Sequence, residues 1–177
     1  MLEFKELIRI VPLAVADSLA VEALLDQAFG SDRHQRTAYR LREGTAEVPE
    51  LSFAAFDSSN LVGSLQSWPI QLNCDDGSVQ SLIMVGPVAV LPELQRSGVG
   101  RSLMNHMLRE ADSNGVDAMT LIGDPEYYDR FFGFTTNQTQ SWDVPGPVER
   151  HRLLARLSGN RLHGRRGMLG PRIAVLR

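Results

Sequence analysis

Val85-Gly86-Pro87-Val88-Ala89-Val90, continuing through Leu91-Pro92-Glu93-Leu94 into Gln95-Arg96-Ser97-Gly98-Val99-Gly100-Arg101, is the stretch whose reading decides the fold. An apolar strand enters a glycine turn, and a helical stripe of Val99, Leu103, Met104, Met107, Leu108 and Ala111 leaves it. Gly98 and Gly100 remove side chains where backbone must approach a ligand, and the start of the helix aims unpaired N–H groups at whatever sits there. The natural occupant is an anion. Pro87 cannot donate a ladder hydrogen bond, so the long apolar run 79–91 is expected to bulge or bend at Gly86-Pro87, and the sheet to loosen there.

Upstream, residues 51–56 and 61–68 read as an antiparallel hairpin around the turn formers Asp57-Ser58-Ser59-Asn60, and Asp75-Asp76-Gly77 turns the chain into the apolar run. Residues 6–11 read as a first strand. Asp17 is the expected N-cap of an amphipathic helix with Val21, Leu24, Leu25, Ala28 and Phe29 inward and Gly30 as its stop. Residues 32–42 predict a second, more polar helix with Ala38 and Leu41 inward and four arginines outward, its tip bordering a groove. Downstream, Gly115 ends the central helix and residues 117–122 predict a buried strand. Asp124 then caps a short helix with Pro125 in its first turn and Phe131, Phe132 and Phe134 as its core side. Residues 152–157 read as a last strand. Residues 162–177, with four glycines or prolines, read as mostly irregular.

A chain of 177 residues suffices for one core, and 43% apolar with 22% charged residues excludes a disordered chain. The expected organisation is a single domain over 1–177: an N-terminal hairpin with its helices over 1–72, the ligand-binding core over 79–134 and a C-terminal part over 135–177. No stretch approaches the length needed to cross a bilayer, and the first residues lack the basic region, apolar run and cleavage site of a leader. Cys74 is the only cysteine, so no disulfide forms within the chain; it reads as a packing residue, and the expected setting is cytoplasmic. The net charge of −3 hides an asymmetry: residues 149–177 hold eight arginines against Glu149 alone, while lysine occurs once, at Lys5. Such an end can meet nucleic acid or an acidic partner, but the expectation is that Arg150, Arg152, Arg156, Arg161, Arg165, Arg166, Arg172 and Arg177 pair with the acidic body or face water.

The glycine turn does not belong to a dinucleotide fold. Leu103 stands where a third glycine belongs, Pro92-Glu93-Leu94 interrupts the turn, and hairpins precede it where a β-α-β unit would begin. Nothing after Gly100 supplies a phosphate-loop lysine. His34, His106, His151 and His163 are scattered, so no metal is expected.

Gln95-x-x-Gly98-x-Gly100, preceded by Val88-Ala89-Val90-x-Pro92 and followed by Gly123-Asp124-Pro125-x-Tyr127-Tyr128 and Gly133-Phe134, resembles the GNAT superfamily of acyl-CoA-dependent N-acetyltransferases. The order of strand, cradle, helix, strand and tyrosine-bearing helix carries the likeness over residues 79–134, and the upstream hairpins extend it at lower specificity. The resemblance implies an α/β (α+β) fold: a mixed, mainly antiparallel sheet of about seven strands flanked by about four helices and splayed at its central strands. It implies acetyl-CoA as cosubstrate, with the backbone N–H groups of Gln95, Arg96, Ser97, Gly98, Val99, Gly100 and Arg101 on the pyrophosphate. Val88, Ala89 and Val90 would offer strand-edge hydrogen bonds to the pantetheine amides.

The implied reaction is acetyl transfer to a primary amine of a small molecule or peptide by direct attack. The amine must lose its proton, the oxyanion needs a donor such as the Val90 N–H, and the departing thiolate needs an acid. Tyr128 is the candidate acid. It matches the family tyrosine counted forward from Gly123-Asp124-Pro125, but the extra residue at Phe131-Phe132 puts it one too far from Gly133-Phe134. One inserted residue turns a helix by about 100°, so Tyr127 stays open as the alternative. Glu47, Glu50 and Asp75 border the expected acceptor groove, and none is assigned as base. The resemblance leaves the acceptor open, and the irregular C-terminal segment with Trp142 can serve a homodimer as readily as a lid. A non-catalytic acyl-CoA binder and an arginine-rich adaptor are the alternatives in other classes.

Overall fold

A computed structural model of the protein describes residues 7–174; Lys5, Glu6 and Arg177, named above, lie outside that range. Six strands form the main sheet in the order β1 (Arg9–Pro12), β2 (Phe53–Asp57), β3 (Asn60–Cys74), β4 (Val79–Val90), β5 (Ala118–Ile122) and β7 (Leu153–Leu157). Only β4 and β5 run parallel within that path; their neighbours pair antiparallel. β3 is long enough to take β2 along one half of its edge and β8 (Gly167–Pro171) along the other, and β6 (Trp142–Asp143) adds to β8 in parallel. The mixed, mainly antiparallel sheet with four α-helices is the expected fold class, with eight strands among the described residues where about seven were expected.

Alternating side chains send the sheet's apolar residues to two faces. Val62, Leu65, Ile83, Val85, Met119 and Leu121 meet α3 (Val99–Ser113) on one face, where Leu103, Met104 and Met107 are almost fully buried. Each such side chain contributes roughly 1.5–3 kcal/mol. α4 (Pro125–Phe132) joins the same core through Phe132. On the opposite face, α1 (Ser18–Phe29) lays Val21, Leu24 and Leu25 on Ala54 and Ala89, while Leu41 of α2 (Thr37–Leu41) joins Ile70, Leu72, Leu82 and Met84. Asp17 caps α1 by accepting from the Ala20 N–H at 3.2 Å, and Gly30 ends it at φ +89°.

Three expectations are corrected. The segment 32–42 is a 3₁₀ turn followed by the five-residue α2, and two of its four arginines point inward: Arg33 is 2% and Arg42 9% exposed. Arg33 is drawn in by Glu22, by Asp26 at 2.9 Å and by the Tyr39 hydroxyl at 2.5 Å. The glycine-rich end is not wholly irregular, since β8 forms there. Gly167 lies so close to the Asn73 backbone that a β-carbon would collide with it, so glycine is what lets the strand approach. Phe131 is not core: it is 37% exposed and lies under the Arg101 guanidinium, 4.1 Å from its carbon to the ring centre.

Candidate functional site

β4 and β5 are paired only at Ile83 with Met119 and Met84 with Thr120. Immediately afterwards Gly86 and Pro87 stand opposite the single residue Gln66, because the register on β3 moves from Ser67–Val85 to Leu65–Val88. This is the expected bulge, and Trp68 fastens it by donating its indole N–H to the Gly86 carbonyl at 2.9 Å. Past the bulge β4 leaves β5 and its edge opens.

The Leu91 N–H donates to the Val62 carbonyl at 2.9 Å, which fixes the alternation of hydrogen-bonded pairs up the ladder. Ala89 therefore turns its own N–H and C=O toward Ser64, whereas Val88 and Val90 turn theirs to the open side. The expectation of strand-edge hydrogen bonds covers all three residues. By alternation only Val88 and Val90 present backbone groups to the open edge, and Ala89 does not.

At the mouth of the same opening, α3 starts without a capping side chain, behind Gly98 at φ +97° and Arg96 at φ +68°. A switch from left-handed to helical backbone makes successive N–H groups converge on one anion. Gln95 and Ser97 do not share in this: their N–H groups donate to the Pro92 and Leu94 carbonyls within a 3₁₀ turn. The amides left without a backbone acceptor among the described residues are those of Arg96, Gly98, Val99, Gly100 and Arg101. A β-carbon on Gly98 would meet nothing within 4 Å, so the space over the turn is open.

Inside the splay lies a cavity of about 810 Å3, walled by Met84 to Val88 of β4, Leu121 to Asp124 at the end of β5, the 29–42 segment and residues 147–149. Tyr128 lines it and Tyr127 does not. The Tyr128 ring packs against Gly123, while the Tyr127 hydroxyl lies 3.9 Å from where a Gly100 β-carbon would stand, on the cradle side. Burial pushes the Tyr128 phenol up to about 12; Tyr127 and Asp124 push the same way, and Arg152 opposes them. Burial also raises Tyr127, with Arg101 opposing. Asp124 caps α4 by accepting from the Glu126 N–H at 3.1 Å, and left-handed Gly133 closes the helix.

The acids considered as bases are dispersed. Asp75 sits at the β3–β4 turn 4.0 Å from Arg166, Glu50 is exposed, and Glu47 accepts from the Gln66 amide at 2.9 Å outside the cavity wall. Not foreseen from the sequence are the charged residues of the wall: Arg36, Arg42, Glu149 and Arg152 line the cavity. Only the expected groove at the tip of segment 32–42 pointed there. In the basic C-terminal segment, Arg150, Arg156, Arg161 and Arg165 pair with Asp143, Asp112, Asp117 and Asp76. No group of three or more His, Cys, Asp or Glu side chains suited to a metal occurs among the described residues.

A family model described as an acetyltransferase (GNAT) domain matches residues 9–137. Among solved structures, the chain is similar to the GNAT family N-acetyltransferase YhbS of Escherichia coli in complex with CoA, at 24% identity and a TM-score of 0.71 over 94% of this chain and 89% of that one. It is similar to a GNAT family acetyltransferase from Brucella melitensis in complex with acetyl-CoA, at 20% identity and 0.65 over 94% and 97%. The ribosomal-protein-S18-alanine N-acetyltransferase of Escherichia coli matches at 19% identity and 0.52 over 89% and 99%. At these identities the likeness is one of fold. No curated protein sequence matches the chain.

Proposed function

Because this chain belongs to the GNAT acetyltransferase family, we propose that it moves an acetyl group from acetyl-CoA to a primary amine of a small molecule or peptide. The observation that carries the reading is the joining of two features at one opening: an unpaired strand edge at Val88 and Val90, and a bare helix start at Gly98. A chain with two amides and a diphosphate fits that pair, the amides extending the sheet edge and the diphosphate meeting converging N–H groups. Acetyl-CoA supplies an activated thioester.

Tyr128 is the proposed catalytic acid. Held protonated by burial, it keeps a proton for the sulfur that departs, and is restored by the proton that the attacking nitrogen gives up. The C–S bond breaks as the C–N bond forms, and the Val90 N–H is the proposed donor to the carbonyl oxygen. The amine must arrive neutral. Partial desolvation and the arginines of the wall disfavour an ammonium ion, against the opposing charge of Asp124 and Glu149, and the excess of arginines lowers the acceptor's pKa. The reading extends to a reducing, cytoplasmic setting, which the single buried thiol Cys74 suits.

Calorimetry with acetyl-CoA, followed by thiol release across a panel of primary amines, tests the proposal. Saturable binding with amine-dependent release is expected. Binding without release from any amine marks a non-catalytic acyl-CoA module, and absence of binding by native protein overturns the reading altogether.

A further inference from the structure

Arg42 is an unusual member of the cavity wall. Its guanidinium carbon lies 3.8 Å from the Tyr39 ring centre and 4.0 Å from that of Trp68, so the plane is held between two aromatic faces. The side chain is buried, yet no ion pair among the described residues includes it, and its Nη1 has no hydrogen-bond partner. A buried donor left unsatisfied ordinarily costs about 1–3 kcal/mol, more where it is charged. Arg33, on the same segment, shows the contrast with its hydrogen bonds to Glu22, Asp26 and Tyr39.

The charge around Arg42 is also unbalanced. Arg36, Arg42 and Arg152 line the cavity against Asp124 and Glu149, and Asp124 is engaged as the cap of α4. The nearby acids Glu22 and Asp26 are taken by Arg33. Burial pulls the Arg42 guanidinium down and the approach of Arg33 adds to this, against raising effects from Tyr39 and Glu22. An incoming oxyanion that meets the part of the guanidinium lining the cavity would relieve the desolvated charge.

We propose that Arg42, fixed between Tyr39 and Trp68, binds an oxyanion on the acceptor, so that the amine substrate carries a carboxylate or phosphate group. The inference rests on the acetyltransferase reading and sharpens it: amino acids and phosphorylated amines fit the wall, whereas polyamines and cationic peptides do not. A planar guanidinium suits either oxyanion with paired N–H donors, and ring stacking holds it ready without further loss of side-chain freedom. Arg42 is thus a specificity-determining residue in the wall of the cavity that Tyr128 also lines.

The test is equilibrium binding to protein saturated with CoA, by calorimetry, using matched pairs that differ only in charge. N-acetylated glycine, glutamate and phenylalanine are compared with their amides, and N-acetyl phosphoethanolamine with N-acetyl ethanolamine. At least one anionic member is expected to bind ten or more times tighter than its neutral match, the amino-acid and phosphate arms telling the two oxyanions apart. In R42Q that preference should fall to within twofold, and R42K should restore only part of it. Equal affinities across every pair, or no binding of any anionic member to the wild type, overturn the inference. The CoA titration that precedes each run separates the two failures. Loss of CoA binding strikes the functional reading, whereas intact CoA binding without an anion preference strikes only the role of Arg42.

Discussion

Tyr128 packs directly on Gly123: a β-carbon at residue 123 would stand 2.7 Å from the Tyr128 Cδ2, closer than nonbonded carbons approach. Gly123 is itself held, its N–H donating to the Arg152 carbonyl at 2.9 Å, so the tyrosine rather than the backbone must give way to any added bulk. The ring's place in the cavity wall depends on one absent side chain.

Gly123→Ala therefore moves Tyr128. Overpacking of this kind costs about 1–3 kcal/mol, and for a chain of this size the thermal midpoint falls by about 2–4 °C per kcal/mol. Displacing the ring from the cavity should lower kcat by roughly 10- to 100-fold, while acetyl-CoA affinity, set at the other end of the opening, changes little. A variant with normal kcat would show that the Tyr128 position is immaterial to turnover.

Tyr128→Phe separates chemistry from packing. Turnover should fall by about 10²-fold or more if the phenol is the acid, with acetyl-CoA binding retained. The alkaline limb supplies a second readout. Burial raises the folded value to about 12 from 10, so between those values the unfolded chain releases the proton first and stability is lost as pH rises through that window. Below pH 10 the contribution is fully present. Denaturant titrations of the wild type should lose up to about 3 kcal/mol more than Tyr128→Phe between pH 10 and 12; parallel curves would show that the phenol is not desolvated.

How much of this was legible beforehand follows from the range of the interactions. Asp17, Gly30, Asp124 and Gly133 act within a turn of their own positions, so the caps and stops of α1 and α4 could be read locally. Gly86-Pro87 announced the bulge because a proline's missing N–H is a local fact. The inward turn of Arg33 and Arg42 could not be seen in the 32–42 pattern, since their partners Glu22, Asp26 and Trp68 lie on α1 and β3. β8 was hidden for a related reason: Gly167 looks like a breaker until the Asn73 backbone is beside it. The cradle was visible as glycines, but which amides stay free depends on the 3₁₀ turn that occupies Gln95 and Ser97. That Tyr127 lies by Gly100 and Tyr128 by Gly123 could not be read from the helix itself, since both glycines lie outside α4.

Gly100→Asp should stabilise the fold and weaken cofactor binding at once. A β-carbon there meets Val90 Cγ2 at 3.6 Å and the Tyr127 hydroxyl at 3.9 Å, both ordinary contacts. Replacing glycine in a helix and adding negative charge to its first turn each favour the helix, by roughly 0.3–1 kcal/mol. The same charge opposes a diphosphate at the amides of Gly98 to Arg101, and acetyl-CoA affinity should fall at least about tenfold, an energy of some 1.4 kcal/mol. Thermal scans and calorimetry on one preparation check both signs. An unchanged Kd would remove the diphosphate from this turn.

Arg161 closes the end of the sheet opposite the splay. It donates to both Asp117 carboxylate oxygens, at 2.7 and 3.1 Å, to the Gln80 side chain at 3.0 Å and to the Ser81 carbonyl at 2.9 Å, tying the start of β4 to the start of β5. The hydrogen bond from Arg161 holds the Asp117 carboxyl below its usual 3.8, with burial opposing. A depressed value means the unfolded chain takes up the proton first, so this stability is present above about pH 4 and is lost as pH falls through the folded value. Both partners are partly exposed, which limits the effect to about 1 kcal/mol. Asp117→Asn should flatten the acid limb of a stability profile by that amount, and Arg161→Met should cost about 1–2 kcal/mol at pH 7 because Gln80 and Ser81 also lose a donor. In the double variant the losses should be less than additive. Additive losses with an unaltered acid limb would mean that solvent already screens the pair, and that β4 and β5 are held together there by packing alone.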